Sequence, residues 1–229
     1  MFHISMNIEI SKYCKPEISA IEFTARARHC RGMHLDDLQG EISACSLCAA
    51  RFAETETAHA PRPVAWLSAT APIVIAGQAP GARVHASGIP FDDPSGDRLR
   101  DWLGVDRDLF YDRSKFAILP MAFCFPGYRR GSDLPPPPIC AKTWRQRAVD
   151  AMPQVKLTLL IGGYAQKWHL DDKRPLSARV ADWKTFGPAT IPLPHPSWRN
   201  TGWLKKNPWF TAELVPVLRA RVRDLIGTP

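Results

Sequence analysis

The chain has 229 residues, 45% hydrophobic and 23% charged, which excludes fibrous and disordered classes and allows one domain with a sizeable core. Lys and Arg number 30 against 22 Asp and Glu, and the formal charge of +8 favours a polyanionic partner. No apolar run approaches a membrane span, and residues 1–20 carry Lys12, Lys15 and Glu17 where a secretory leader would be apolar, so a cytoplasmic protein is expected.

Residues 1–32 show little periodicity and read as an irregular lead-in to a single domain over 33–229. Leu35, Leu38, Ile42 and Cys45 recur at helical spacing, which predicts a helix from about His34 towards Phe52. After a proline-rich connector, Ile73–Ala76 reads as a short strand buried on both faces. Two loops follow it: Gly77-Gln78-Ala79-Pro80-Gly81, then Gly88-Ile89-Pro90-Phe91-Asp92-Asp93-Pro94-Ser95-Gly96-Asp97. Ser95 is the expected cap of a helix through Trp102, closed by Gly104. Phe116–Met121 is a second strand, Leu157–Ile161 a third and Thr190–Leu193 a fourth. Between the second and third lie the long loop Phe123–Cys140 and a helix over Ala141–Met152. The fourth strand delivers Pro194-His195-Pro196-Ser197, and a final helix covers Pro208–Leu225. Strands alternating with helices predict an α/β fold, a parallel sheet covered on both faces, with ligands received at its carboxyl edge.

Six cysteines in a reducing compartment are thiols or metal ligands more often than disulfides. Cys14 and Cys30 read as small buried hydrophobes. Cys45-x-x-Cys48, Cys124 and Cys140 form a different set, because the last two bracket a long proline-rich loop that needs an anchor. Four thiolates suit tetrahedral zinc or an iron–sulfur cluster, and the pattern alone leaves both open.

The Gly77–Gly81 loop, the Gly88–Phe91 turn, the four cysteines and His195-Pro196-Ser197 together resemble the uracil-DNA glycosylase superfamily, closest to its iron–sulfur branch, family four, with some family-five features. The resemblance spans roughly Cys45 to Trp209. It implies a three-layer αβα sandwich around a four-stranded parallel sheet, and a structural [4Fe–4S] cluster on Cys45, Cys48, Cys124 and Cys140, with zinc the lesser alternative.

It also implies a monomeric DNA glycosylase acting on uracil or another deaminated base in DNA, and it orders the candidate residues. Phe91 stacks on the flipped base, worth on the order of 1–3 kcal/mol. His195 and the main-chain N–H of Gln78 donate to the base oxygen as negative charge develops. In family one a carboxylate stands where this chain has Ala79, and many family-four members carry glutamate where it has Gln78. The first loop therefore lacks an acid, and Asp93, then Asp92, is expected to position water or steady the sugar cation. Asp97 suits the first turn of a helix instead. His85 is placed at the pocket floor. The family's base-reading asparagine is replaced by Pro120, followed by Met121, so base choice falls to main-chain groups around Leu119–Met121. Trp198 and Arg199 are candidates for a wedge in the duplex, and Lys205, Lys206, Arg129 and Arg130 for phosphate contacts.

The main competing reading is a non-catalytic damaged-base or single-strand binder on the same fold. A Ser197–His195 hydrolase fits poorly, since no nucleophile elbow surrounds Ser197. The Gly77–Gly81 loop also lacks the lysine of a phosphate-binding loop.

Overall fold

The computed structural model describes residues 35–227. The proposed lead-in, its boundary with the domain, and Cys14 and Cys30 lie outside these residues. The elements begin with α1 (Leu35–Ser43), α2 (Ala49–Ala53), β1 (Ile73–Ala76), α3 (Ala82–Ser87), α4 (Pro94–Leu103), α5 (Arg107–Tyr111) and β2 (Phe116–Ile118). A hairpin, β3 (Tyr128–Arg129) with β4 (Ser132–Asp133), precedes the helical run 138–150, here α6. Then come β5 (Leu157–Ile161), α7 (Gly162–His169), α8 (Leu176–Ala181), β6 (Thr190–Leu193), α9 (Thr201–Lys206) and α10 (Val215–Ile226).

Four strands form one parallel sheet in the order β2-β1-β5-β6. Every residue of β1 is buried, because both faces are covered. Ile73 and Ile75 face one layer, with Leu99 and Trp102 of α4 and Leu218 and Val222 of α10. Val74 faces the other, with Leu38 and Ile42 of α1 and Trp144 and Ala148 of α6. The result is the expected three-layer α/β sandwich. Pro192 sits in β6, which pairs with β5 alone, so its missing N–H interrupts no ladder.

Three local expectations change. The first helix is broken, α1 ending at Ser43 and α2 starting at Ala49, and Cys45 and Cys48 occupy the break. The second strand stops at Ile118, not Met121. Pro120 has no N–H to give a ladder, and Arg145 takes the carbonyls of Leu119 and Pro120. Finally, α4 is capped by Asp93, not Ser95: its side chain accepts from Gly96 N–H at 2.9 Å, and Pro94 fills the first helical position.

Candidate functional site

The chain leaves β1 towards β2 on one side and later returns to β5 on the other, so the sheet switches direction between β1 and β5. A cleft opens outside the carboxyl ends at such a point. Here it is a cavity of about 700 Å³, walled by the Gly77–Gly81 loop, the Phe91–Ser95 turn, the segment after β6 and the β3–β4 hairpin.

His195 is held from both sides. Its carbonyl accepts from Asn200 Nδ2 at 2.7 Å, and its ring Nδ1 accepts from the Ser197 backbone N–H at 3.2 Å. An Nδ1 that accepts leaves the neutral ring's proton on Nε2, so the imidazole is a donor at Nε2. Burial pushes its pKa below the ordinary value, opposed by the nearby carboxylates of Asp93 and Asp133. The ring is thereby kept neutral near pH 7, with Nε2–H unpartnered among the described residues.

Phe91 lines the cavity in the left-handed backbone region, φ 56°. Such a conformation costs a bulky residue roughly 1–3 kcal/mol. The ring lies edge-on to Phe110, centroids 6.0 Å apart, and its tip sits beside Gly77, 3.5 Å from where a Cβ would be. A larger residue at 77 would narrow the space between the first loop and the ring.

Asp93 also lines the cavity. Oδ1 accepts from Gly96 N–H and from the Ser95 hydroxyl, and Oδ2 has no partner among the described residues. Asp92 lies off the cavity lining, its Oδ1 taking Arg107 at 2.9 Å. Asp97 stands in the first turn of α4 as expected and binds Arg100 at 2.6 Å.

All five residues of the first loop, Gly77, Gln78, Ala79, Pro80 and Gly81, reach the cavity. The Gly77 and Gln78 carbonyls accept from Met121 and Ala122 N–H, which fixes the loop, while the Gln78 N–H has no partner among the described residues. Met121 itself is buried with Ala76, Ala141 and Leu160, away from the lining. Pro120 lines the cavity, and most main-chain groups expected to read the base already have a partner: Leu119 N–H bonds Ile75, Met121 N–H bonds Gly77, and the Leu119 and Pro120 carbonyls bond Arg145. His85 is also off the lining, packed edge-on against His59 at 4.9 Å and against Phe125. Burial, then His59 and Arg62, lowers its pKa.

Trp198 and Arg199 stand on the cavity rim. Trp198 is 71% exposed, with the Arg199 guanidinium 5.8 Å from its ring centroid. Arg98 ties this turn down through the Ser197 carbonyl at 2.9 Å. Lys205 and Lys206 are exposed at the end of α9, and Arg129 and Arg130 on the hairpin, all off the lining.

The hairpin is what sequence reasoning missed. Tyr128, Ser132 and Asp133 line the cavity together with the first loop. Arg130 and Gly131 both have positive φ, 51° and 70°, and join strands paired Tyr128 to Asp133. A two-residue turn of that kind suits the strand twist, and Arg-Gly between short runs was the available signal. Arg83, just after the first loop, also reaches the cavity.

A second, smaller cavity gathers Cys45, Cys48, Cys124 and Cys140 among apolar walls including Phe52, Phe123 and Trp144. The four are free thiols. Burial pushes Cys124 and Cys140 up to about 12, and the neighbouring cysteines push in the same direction. Phe123 N–H donates to Cys140 Sγ at 3.3 Å. Among the described residues, no group of three or more His, Cys, Asp or Glu side chains is arranged to hold a single metal ion. Four sulfurs, apolar walls and a backbone N–H aimed at sulfur nevertheless suit an iron–sulfur cluster.

Fold and site together define an α/β sandwich with a switch-point cleft suited to a planar, hydrogen-bonding ligand. The family model described as the Uracil DNA glycosylase superfamily matches residues 64–219, and the chain belongs to that superfamily. Proteins of that superfamily act on DNA substrates. Among the described residues, no helix is long and apolar enough to cross a membrane.

Proposed function

We propose that the protein is a monofunctional DNA glycosylase of base-excision repair that flips uracil or another deaminated base into the cleft and hydrolyses its N-glycosidic bond. The observation that carries this is the fixed tautomer of His195, which presents Nε2–H beside a ring and a carboxylate in one cavity. Flipping costs roughly a few kcal/mol, and stacking on Phe91 offsets about 1–3 of it. The C1′–N bond breaks and its electron pair leaves on the base. His195 Nε2–H and the Gln78 N–H donate to the base oxygen that takes up this charge. Asp93, through Oδ2, steadies the sugar cation and orients the water that adds to C1′; the water's proton ends on the base. Trp198 and Arg199 at the rim engage the strand, with Arg129, Arg130, Lys205 and Lys206 on phosphates.

On the same reading the protein belongs to the iron–sulfur branch, and Cys45, Cys48, Cys124 and Cys140 hold a [4Fe–4S] cluster. Bound there, the cluster supplies a cross-link between the α1–α2 break, the segment after β2 and the start of α6. Zinc would leave the purified protein colourless, whereas the cluster makes it brown. The protein acts as a cytoplasmic monomer, and a sizing column tests the monomeric state.

Labelled oligonucleotides carrying uracil, hypoxanthine or xanthine, single- and double-stranded, are incubated with the protein and treated with alkali. Cleavage of at least one substrate is expected. No cleavage of any at high enzyme excess overturns the catalytic reading. Tight binding without cleavage would instead mark a non-catalytic binder, in which Asp93 serves only to cap α4.

A further inference from the structure

The turn that carries Phe91 is tightly constrained. Its positive φ is held by contacts from two helices. Gly96 of α4 lies directly beneath it: a Cβ there would stand 1.8 Å from the Phe91 carbonyl oxygen, so only glycine fits. Arg100, one turn further along α4, is 6% exposed and donates to that same carbonyl at 3.4 Å. Tyr111 of α5 donates its hydroxyl to the Pro90 carbonyl at 3.0 Å and accepts from Arg100 at 3.5 Å. The guanidinium lies 5.4 Å from the Phe110 ring centroid and 5.7 Å from that of Tyr111. Phe110 is the ring against which Phe91 packs.

Burying an arginine whose one carboxylate partner among the described residues, Asp97, is 76% exposed is a poor way to gain stability. A strained backbone persists only where its surroundings over-determine it, and such places gather at ligand clamps. We infer that Arg100, with Gly96 and Tyr111 as its fellow contacts, is a positioning residue that holds Phe91 ready for a flipped base, so the ring is in place before the nucleotide arrives. This inference rests on the base-excision reading. Arg100 is not among the residues that line the cavity and reaches it through the Phe91 carbonyl.

A double-mutant cycle tests it. Phe91→Ala, Arg100→Met and the pair are compared in single-turnover excision and in binding to undamaged duplex. Phe91→Ala should slow excision by about ten- to a hundred-fold, the loss of one stacking contact. Arg100→Met should lose a comparable factor, the pair no more than Phe91→Ala alone, and binding to undamaged duplex should stay within about twofold. Arg100→Lys, which keeps charge but loses the planar fork, should fail to restore the rate. Multiplying losses in the pair, or a wild-type rate in Arg100→Met, overturns the inference while the enzyme reading survives. An inactive wild type overturns that reading, and a crystal structure of Arg100→Met then decides the positioning role. Phe91 leaving positive φ supports it, and an unchanged turn overturns it.

Discussion

The cysteine cavity and the cleft at the sheet edge are built on opposite principles. The cysteine cavity has apolar walls and soft sulfur donors drawn from three distant stretches of chain. The cleft at the sheet edge is wide and mixed in polarity, and it keeps polar atoms without partners among the described residues: His195 Nε2, Asp93 Oδ2 and the Gln78 N–H. The first arrangement suits an occupant that stays, because soft sulfur donors from three stretches of chain sit behind apolar walls that limit solvent access. The second suits an occupant that enters and leaves, because its donors are fixed in advance by backbone contacts. On this comparison, damage to the first cavity should cost the fold, and damage to the second should cost only the rate.

The largest effect is therefore expected from Cys140→Ser, which removes one of the four sulfurs proposed to hold the cluster. Soluble yield and melting temperature should drop sharply and the visible absorbance should vanish; a stable, still-coloured variant would break the contrast. Next is His195→Ala. Excision should fall by about 10²–10³, the scale for losing one donor to a developing anion, with little change in melting temperature.

Asp93 divides the two kinds of cost within one residue. Asp93→Asn keeps an N-cap acceptor and removes the charge, so excision should fall while stability holds. Asp93→Ala should lose the rate and also about 1 kcal/mol of stability. Asp106 caps α5 in the same way, accepting from Leu109 N–H at 2.8 Å, and lies off the cleft. Asp106→Ala should show the stability cost alone in thermal unfolding. Equal excision losses at both caps would mean the Asp93 carboxylate has no chemical role.

Smaller effects are expected further from the cleft. Removing Arg129 or Arg130 should weaken duplex binding uniformly across sequences and lower the salt slope by about one each. The smallest signal is in pH. Burial lowers the pKa of His169 to about 4, and it also lowers His195 and His85. The unfolded chain then binds more protons than the folded one below about 6.5. Stability from these histidines is complete above that value and is lost as pH falls towards 4. Thermal unfolding across this window should show the fall, and His169→Asn should flatten part of it.

Much of this was legible in the sequence because it depends on local chemistry. Ile73–Ala76, Leu157–Ile161 and Thr190–Leu193 are apolar runs bounded by breakers, and the strands stand where those runs are. The first loop and His195 follow strand ends directly, so strand placement delivers them to the carboxyl edge. Met121 and Asp92 were less legible, since their neighbours come from elsewhere in the chain. The Met121 side chain packs against Leu160 and Ala165, and Asp92 is drawn away by Arg107.

By itself, then, the sequence determined the α/β order, the motif-bearing loops and the four-cysteine set, all of which rest on period, spacing and residue type. Tertiary structure alone decided the rest. It broke the first helix at Cys45–Cys48, brought Tyr128 and Asp133 of a locally signalled hairpin to the cleft, and set the buried Arg100 beneath the turn of Phe91. The physical reason is common to all three. Each is settled by partners distant in the chain or by the fit of a buried group, and neither periodicity nor propensity records those.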